Sequence, residues 1–294
     1  MKSKFLFPTW CSIVGYLLAI PGFVLGYLNI FKKYEIPNFG FQLRAKDNLF
    51  EKAVENFTNE LAIFLVVIGL VLIAFSKNKR EDELSARIRL NALYWSVMIY
   101  YVLYCLALLY SMVIGEIPFV GDHASELNIF TPLVIFVIRY SYLKSINKES
   151  YLISQPKFLS NKPYRKLGVF LSLAGLAYFI IALQFDPQGD WVFTTTQAVY
   201  LIFMLGLLLW TFSQFKTEDE MIMQQRLESL QLAVYFNYLI LLVATMVFYS
   251  FVFLYVLTIA QFSLLVFFII RMEYISFKNK QSLNAMEEDL TYEK

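Results

Sequence analysis

The stretch Gly69-Leu70-Val71-Leu72-Ile73-Ala74-Phe75-Ser76 is followed by Lys79, Glu81-Asp82-Glu83, Arg89-Leu90 and Leu93. The same order returns 137 positions later as Gly206-Leu207-Leu208-Leu209-Trp210-Thr211-Phe212-Ser213, Lys216, Glu218-Asp219-Glu220, Arg226-Leu227 and Leu230. An apolar span, an acidic triplet and an arginine entering a second apolar span make one unit. Apolar runs match by chance, but charged residues matching in order do not.

Working outward, Ser12, Gly15 and Ile20 align with Ser172, Gly175 and Ile180 at an offset of 160. Leu133, Phe136, Ile138, Arg139 and Tyr142 align with Leu265, Phe268, Ile270, Arg271 and Tyr274 at an offset of 132. The offset shrinks along the chain because the first half has the longer loops, where insertions are tolerated.

The composition fixes the solvent. The chain is 59% hydrophobic, 18% aromatic and only 16% charged, with a mean hydropathy of +0.56, far from a soluble globular mix. Eight apolar spans can be drawn, at about 7–30, 58–76, 91–114, 126–143, 166–186, 191–212, 229–249 and 252–273, each near the ~20 residues that cross a bilayer core. They lack the strict alternation of membrane β-strands. The first span is too long for a signal-peptide core and carries Pro21-Gly22, so it is expected to stay as a helix. The last two spans need a tight hairpin at Tyr249-Ser250.

The expected fold is therefore all-α: a polytopic membrane protein of eight transmembrane helices in two four-helix repeats. Residues 1–143 and 166–276 form the repeats, 144–165 a cytoplasmic linker and 277–294 a cytoplasmic tail. An even number of spans gives both halves one orientation, which makes the repeats parallel. With the N-terminus inside, twenty of the 25 Lys and Arg residues fall on the cytoplasmic side, as the positive-inside rule requires. The exceptions, Lys32, Lys33, Arg44, Lys46 and Lys52, lie in the long first outer loop with four acids. A bacterial inner membrane with both termini cytoplasmic fits. Within that loop, Leu49, Phe50, Ala53, Val54 and Phe57 share a helical face, which predicts a surface helix or an extension of the second span.

The Glu-Asp-Glu triplet, the Arg-Leu-x-x-Leu after it, and Phe130-Thr131-Pro132-Leu133 leading into Ile138-Arg139 resemble uncharacterised small four-span membrane proteins of the Bacteroidota. The resemblance covers each half and leaves the first outer loop unmatched. It implies a tandem architecture and carries no activity with it.

One charged constellation stands out. Glu81, Asp82 and Glu83, with Glu218, Asp219 and Glu220, sit just past the second and sixth spans and are expected to open long helices. Acids in a first turn favour the helix dipole. Thr217 and Glu220 have capping-box spacing, whereas Arg80 stands at the equivalent place in the first copy. Asp82 to Arg89, like Asp219 to Arg226, spans seven residues. That puts both on one face about 10.5 Å apart, out of mutual reach. The acids must find other partners, and Arg139 and Arg271 end neighbouring spans on the same side. Each half is thus expected to gather a triplet and two arginines into a cytoplasmic cluster, with Glu83 and Arg87 pairing along the helix. The cluster reads as a structural latch, as a docking surface for a cytoplasmic protein partner, or as a ligand or hard-cation site.

Inside the spans, ionisable side chains are nearly absent, which counts against a pump. Neutral polar groups concentrate in the second half: Thr195, Thr196, Gln197, Asn237, Thr245, Thr258 and Gln261. They serve either interhelical hydrogen bonds or a polar cavity. The central aromatics of the third span, including Tyr100, Tyr101 and Tyr104, are expected to pack or face lipid. Cys11 and Cys105 read as buried hydrophobes, and His123 as a lone loop histidine.

No phosphate loop, zinc motif, nucleophile triad or CxxC is present, and the chain has no large extramembrane domain. No cofactor is implied, and a net charge of +2 gives no case for nucleic acid. The expected role is a non-enzymatic membrane protein acting through its cytoplasmic face, in contact with the lipid bilayer. A carrier for a small or lipophilic substrate between the repeats is the alternative.

Overall fold

The computed structural model describes residues 5–45, 52–79, 82–115, 120–146, 156–185, 190–216, 218–248 and 250–292. Its helices are α1 (Cys11–Lys32), α2 (Thr58–Phe75), α3 (Glu83–Val113), α4 (Val120–Ile146), α5 (Lys166–Phe185), α6 (Asp190–Thr211), α7 (Glu220–Val247) and α8 (Ser250–Tyr292). Each of the eight apolar spans falls on one of them. Seven described helical segments are long and apolar enough to cross a membrane, and the described apolar part of α6, Thr195–Thr211, is shorter. The protein is a multi-pass helical membrane protein. α3 and α7 start at the last residue of their acidic triplets, as the sequence predicts, and α8 continues through most of the expected tail. α4 begins at Val120, so His123 sits in its first turn rather than in a loop.

The first outer loop departs from expectation. Instead of an amphipathic helix, β1 (Gly40–Ala45) and β2 (Lys52–Asn56) pair antiparallel, with Gly40 opposite Asn56 and Ala45 opposite Lys52. The apolar spacing over 49–57 suits a helix, but strand pairing satisfies the backbone of both loop arms at once. The hairpin base is then fixed to α2: Asn56 Nδ2 donates to the Ile36 carbonyl at 2.8 Å, and Ile36 N–H donates to Thr58 Oγ1 at 2.8 Å. Leu49 and Phe50 lie outside the described residues.

Glycine governs the two tightest helix pairs, α1–α2 and α5–α6. A Cβ on Gly69 would come within 2.7 Å of the Gly15 carbonyl and 2.6 Å of the Ala19 nitrogen; one on Gly206 would come within 2.7 Å of the Ser172 nitrogen. These are backbone atoms with nowhere to go, so only glycine lets the helices approach this closely. Gly15 and Gly168 occupy matching places against Gly69 and Gly206, and Gly22 and Gly175 meet Val66 and Phe203. These matching contacts are 153 residues apart, where the sequence comparison uses an offset of 160. The difference of seven residues is about two helical turns, which keeps every residue on the same face.

The rest of the bundle follows exchangeable pairs. α3 packs on α4 and α7 on α8; α2 touches α4 as α6 touches α8; across the middle, α3 meets α6 as α7 meets α2. The shared core includes Phe75, Tyr101, Phe136, Met204, Leu227 and Leu265, all buried. α1 turns Ile13, Leu17 and Ile20 outward, an apolar surface suited to lipid.

Short extended segments enter in the same way on both sides. Phe7 N–H donates to the Phe75 carbonyl at 2.9 Å, and Lys77 N–H donates to the Phe7 carbonyl at 2.9 Å. Leu159 N–H donates to the Phe212 carbonyl at 2.9 Å, and Gln214 N–H donates to the Leu159 carbonyl at 2.8 Å.

Candidate functional site

The acidic triplets and their arginines meet at the end of the bundle where α2 turns into α3 and α6 into α7. Asp82 and Asp219 are the N-caps of those helices, with extended backbones. Asp82 Oδ1 accepts from Ser85 N–H at 2.8 Å, and Asp219 Oδ1 from Ile222 N–H at 2.8 Å. One capping mechanism serves both copies, which corrects the expectation, drawn from Thr217 against Arg80, that capping explains the two triplets unequally. The Ser85 N–H holds the exposed Asp82 carboxyl below its usual range, because a hydrogen bond to the ionised form stabilises it.

The arginines close the preceding helices. Arg89 is fully buried, and its guanidinium donates to the carbonyls of Ala74 at 2.7 Å and Ser76 at 3.3 Å, and to Tyr140 Oη at 3.3 Å. Arg226, also buried, donates to the carbonyls of Thr211 at 3.1 Å and Ser213 at 2.7 Å. The last carbonyls of a helix have no partner within it, and a guanidinium offers five donors in a fixed fork. Each arginine thus enters from the following helix, binds the open end of the preceding one, and places a positive charge at its negative pole.

The acids divide the remaining work. Glu218 folds back to Arg226, Oε1 to Nε 2.7 Å, and its Oε2 accepts from Phe215 N–H at 3.2 Å. Glu83 pairs with Arg87 at 2.9 Å along α3, as its i,i+4 spacing requires. Phe158 and Phe215 cover the Arg226 guanidinium at 4.2 and 5.1 Å from their ring centres. Glu81 and Thr217 lie outside the described residues.

Arg139 and Arg271 do not join these clusters. Arg139 donates to Asn91 Oδ1 at 3.0 Å and lies over the Trp95 ring at 5.2 Å. Arg271 Nε donates to Ser229 Oγ at 3.2 Å. Arg139 binds the side of α3 at Asn91 and Arg271 the side of α7 at Ser229, about two and a half turns or more past the caps, which sequence separation cannot reveal. A third ion pair escaped the sequence pattern altogether: Glu273 accepts from Arg165 and, at 2.9 Å, from Trp210 Nε1.

Two cavities flank the short chain segment that enters α5. One of about 500 Å³ lies between α3 and α6, lined by Asn91, Trp95, Met98, Leu209 and Phe212 and floored by Lys157. The other, about 750 Å³, is bounded by Lys157, Phe158, Gln214, Glu218, Asp219 and Glu220.

The intramembrane polar residues split between packing and a network. Tyr104 and Tyr200 both donate to Gln261 Oε1, Tyr200 at 2.8 Å, and Tyr101 donates to the Gln261 carbonyl at 2.6 Å. This joins α3, α6 and α8. Tyr101 and Tyr104, expected to pack or face lipid, are hydroxyl donors, because a buried Tyr carries its polar tip to a partner. Thr245 donates back to the Leu241 carbonyl at 2.8 Å, and Asn237 accepts from Ser263. Thr258 is exposed and Gln197 half-buried. Beside Gln261 and Asn237 the remaining space is only about 30 Å³. Among the described residues no His, Cys, Asp and Glu are grouped to hold a metal ion.

No known protein-family model, curated protein or solved structure matches the chain. The site stands on its own geometry.

Proposed function

We propose that this chain is a non-enzymatic protein of the bacterial inner membrane, built as two parallel four-helix repeats with cytoplasmic termini, that senses or regulates through its cytoplasmic face. Support for the repeat comes from paired features at an offset of 137: two aspartate caps, two buried arginines on helix-end carbonyls, and two glycine contacts. In this reading the arginines and caps are latches. Glu220, at the start of α7, is the acid of the second triplet that neither caps the helix nor binds an arginine among the described residues.

One observation carries the functional part. Asp219 and Glu220 are exposed, yet both line the 750 Å³ cleft beside Phe158 and Gln214. An acid-lined cleft with an aromatic wall fits a cationic segment of a cytoplasmic protein. A carrier has less support, since Gln261 is engaged by two tyrosine hydroxyls and its adjoining space is as small as one water.

A photo-crosslinking amino acid at Glu220 in intact cells tests the proposal. A discrete protein adduct that disappears in the Asp219→Asn background is expected. No adduct, together with solute flux in proteoliposomes, would replace this reading with the carrier.

A further inference from the structure

We propose that the cavity between α3 and α6 is a binding slot for one acyl chain of an anionic phospholipid, whose headgroup is held by Arg139. This is independent of the acidic cleft and its partner.

The shape comes first. Asn91, Trp95, Met98 and Val102 line the slot along one face of α3. From the first to the last of them the helix rises about 16 Å, close to one leaflet's share of a ~30 Å hydrocarbon core. Val102, at the deep end, is 42% exposed on the outside of the bundle, so the slot opens sideways where lipid lies. Its volume of about 500 Å³ is that of a ligand site rather than a packing defect. Leu209 and Phe212 complete an apolar wall.

The polar end has the matching charge. Arg139 rests on Trp95 and bonds the neutral Asn91, both of which line the slot. Its Nε is buried without a hydrogen-bond partner. Among the described residues it has no carboxylate, whereas Arg226 has Glu218 and Arg165 has Glu273. Lys157 closes the same end. A phosphodiester placed there would receive charge-assisted hydrogen bonds from a guanidinium already seated on an aromatic face.

The other half shows what a closed slot looks like. At an offset of 137, Met98 becomes Tyr235 and Asn91 becomes Glu228. The Tyr235 ring packs edge-on against Phe75 at 4.8 Å and Phe7 at 5.7 Å, filling the α2–α7 counterpart. A carboxylate thus stands where the open slot has a neutral amide, so only the α3–α6 side leaves room for both a chain and an anion.

Native mass spectrometry of the full chain in detergent, titrated with phosphatidylglycerol and phosphatidylcholine, tests this. The wild type should retain one phosphatidylglycerol at least tenfold more strongly than phosphatidylcholine. Met98→Tyr, which copies the filled side, should lower retention of both lipids at least tenfold. Val102→Phe blocks the mouth at an exposed position and gives the same result should Met98→Tyr fail to fold. Arg139→Gln should bring the two lipids to equal retention. Excess inorganic phosphate should displace nothing, because the chain anchors the ligand. Wild-type retention in both blocking variants, equal retention of the two lipids by wild type, or displacement by phosphate would each overturn the proposal.

Discussion

Replacing Arg226 with alanine is the perturbation most informative about the latch. The side chain is buried, donates to the Thr211 and Ser213 carbonyls, and pairs with Glu218 at 2.7 Å. Each buried acceptor left without a donor costs about 1–3 kcal/mol, and removing one member of a buried ion pair costs about 3–5 kcal/mol. These overlap, since the same guanidinium serves all three groups, so Arg226→Ala should cost about 3–5 kcal/mol in total. Asp219→Ala removes only a cap and should cost about 1 kcal/mol. Unfolding in detergent titrated with dodecyl sulfate, followed by circular dichroism, measures both. Adding Glu218→Gln to Arg226→Ala neutralises the stranded carboxylate and should recover part of the loss, a coupling of at least about 1 kcal/mol. The reasoning fails if Arg226→Ala costs no more than Asp219→Ala, or if the double variant is additive.

Other positions give sharper contrasts. Gly69→Val drives a Cβ into backbone atoms of α1 and should lower the unfolding temperature strongly, while Gly26→Ala, whose Cβ would stand 3.8 Å from Ala62, should change it little; thermal unfolding of the two compares them. Gln261→Leu strands the hydroxyls of Tyr104 and Tyr200 and should destabilise by about 1–2 kcal/mol, the range of interhelical hydrogen bonds in membranes; the same dodecyl sulfate titration reads it. The folded-state pKa of Asp82 is depressed by Ser85 N–H. Its stabilising contribution is therefore complete above the ordinary aspartate value of about 3.9 and lost as pH falls through the lower folded value. Asp82→Asn keeps a capping side chain and should flatten that acid-side loss when unfolding is followed between pH 5 and pH 2.

Much of the architecture was legible because hydropathy dominates a membrane chain. The eight helices, the starts of α3 and α7, and the Glu83–Arg87 pair all follow from run length and helical spacing. What failed did so for identifiable reasons. The first-span register was ambiguous because a slip of seven residues preserves the helix face, and only backbone contacts at Gly69 and Gly206 distinguish the two alignments. The loop helix over 46–57 lost to strand pairing, whose partners run from Ala45 opposite Lys52 to Gly40 opposite Asn56 and which local periodicity cannot see. Asp82 and Asp219 were read as partners for distant arginines, yet they cap their own helices within three residues. Arg139 sits where its position at a span end suggests. Its partner Asn91, however, is 48 residues away, and nothing in either local pattern links them. The tyrosines of α3 were hardest, since Tyr101 and Tyr104 look like ordinary interfacial aromatics until Gln261 stands opposite them.

The most direct test of the parallel arrangement is labelling with a membrane-impermeant maleimide in intact cells. With the buried Cys11 and Cys105 replaced, single cysteines are placed at the exposed positions Lys79, Lys216 and Tyr34. Two parallel repeats with cytoplasmic termini require that Lys79→Cys and Lys216→Cys both stay unlabelled until the membrane is permeabilised, while Tyr34→Cys is labelled from outside. Labelling of Lys79→Cys and Lys216→Cys from opposite sides would contradict the parallel repeat, and labelling of both from outside would contradict its orientation.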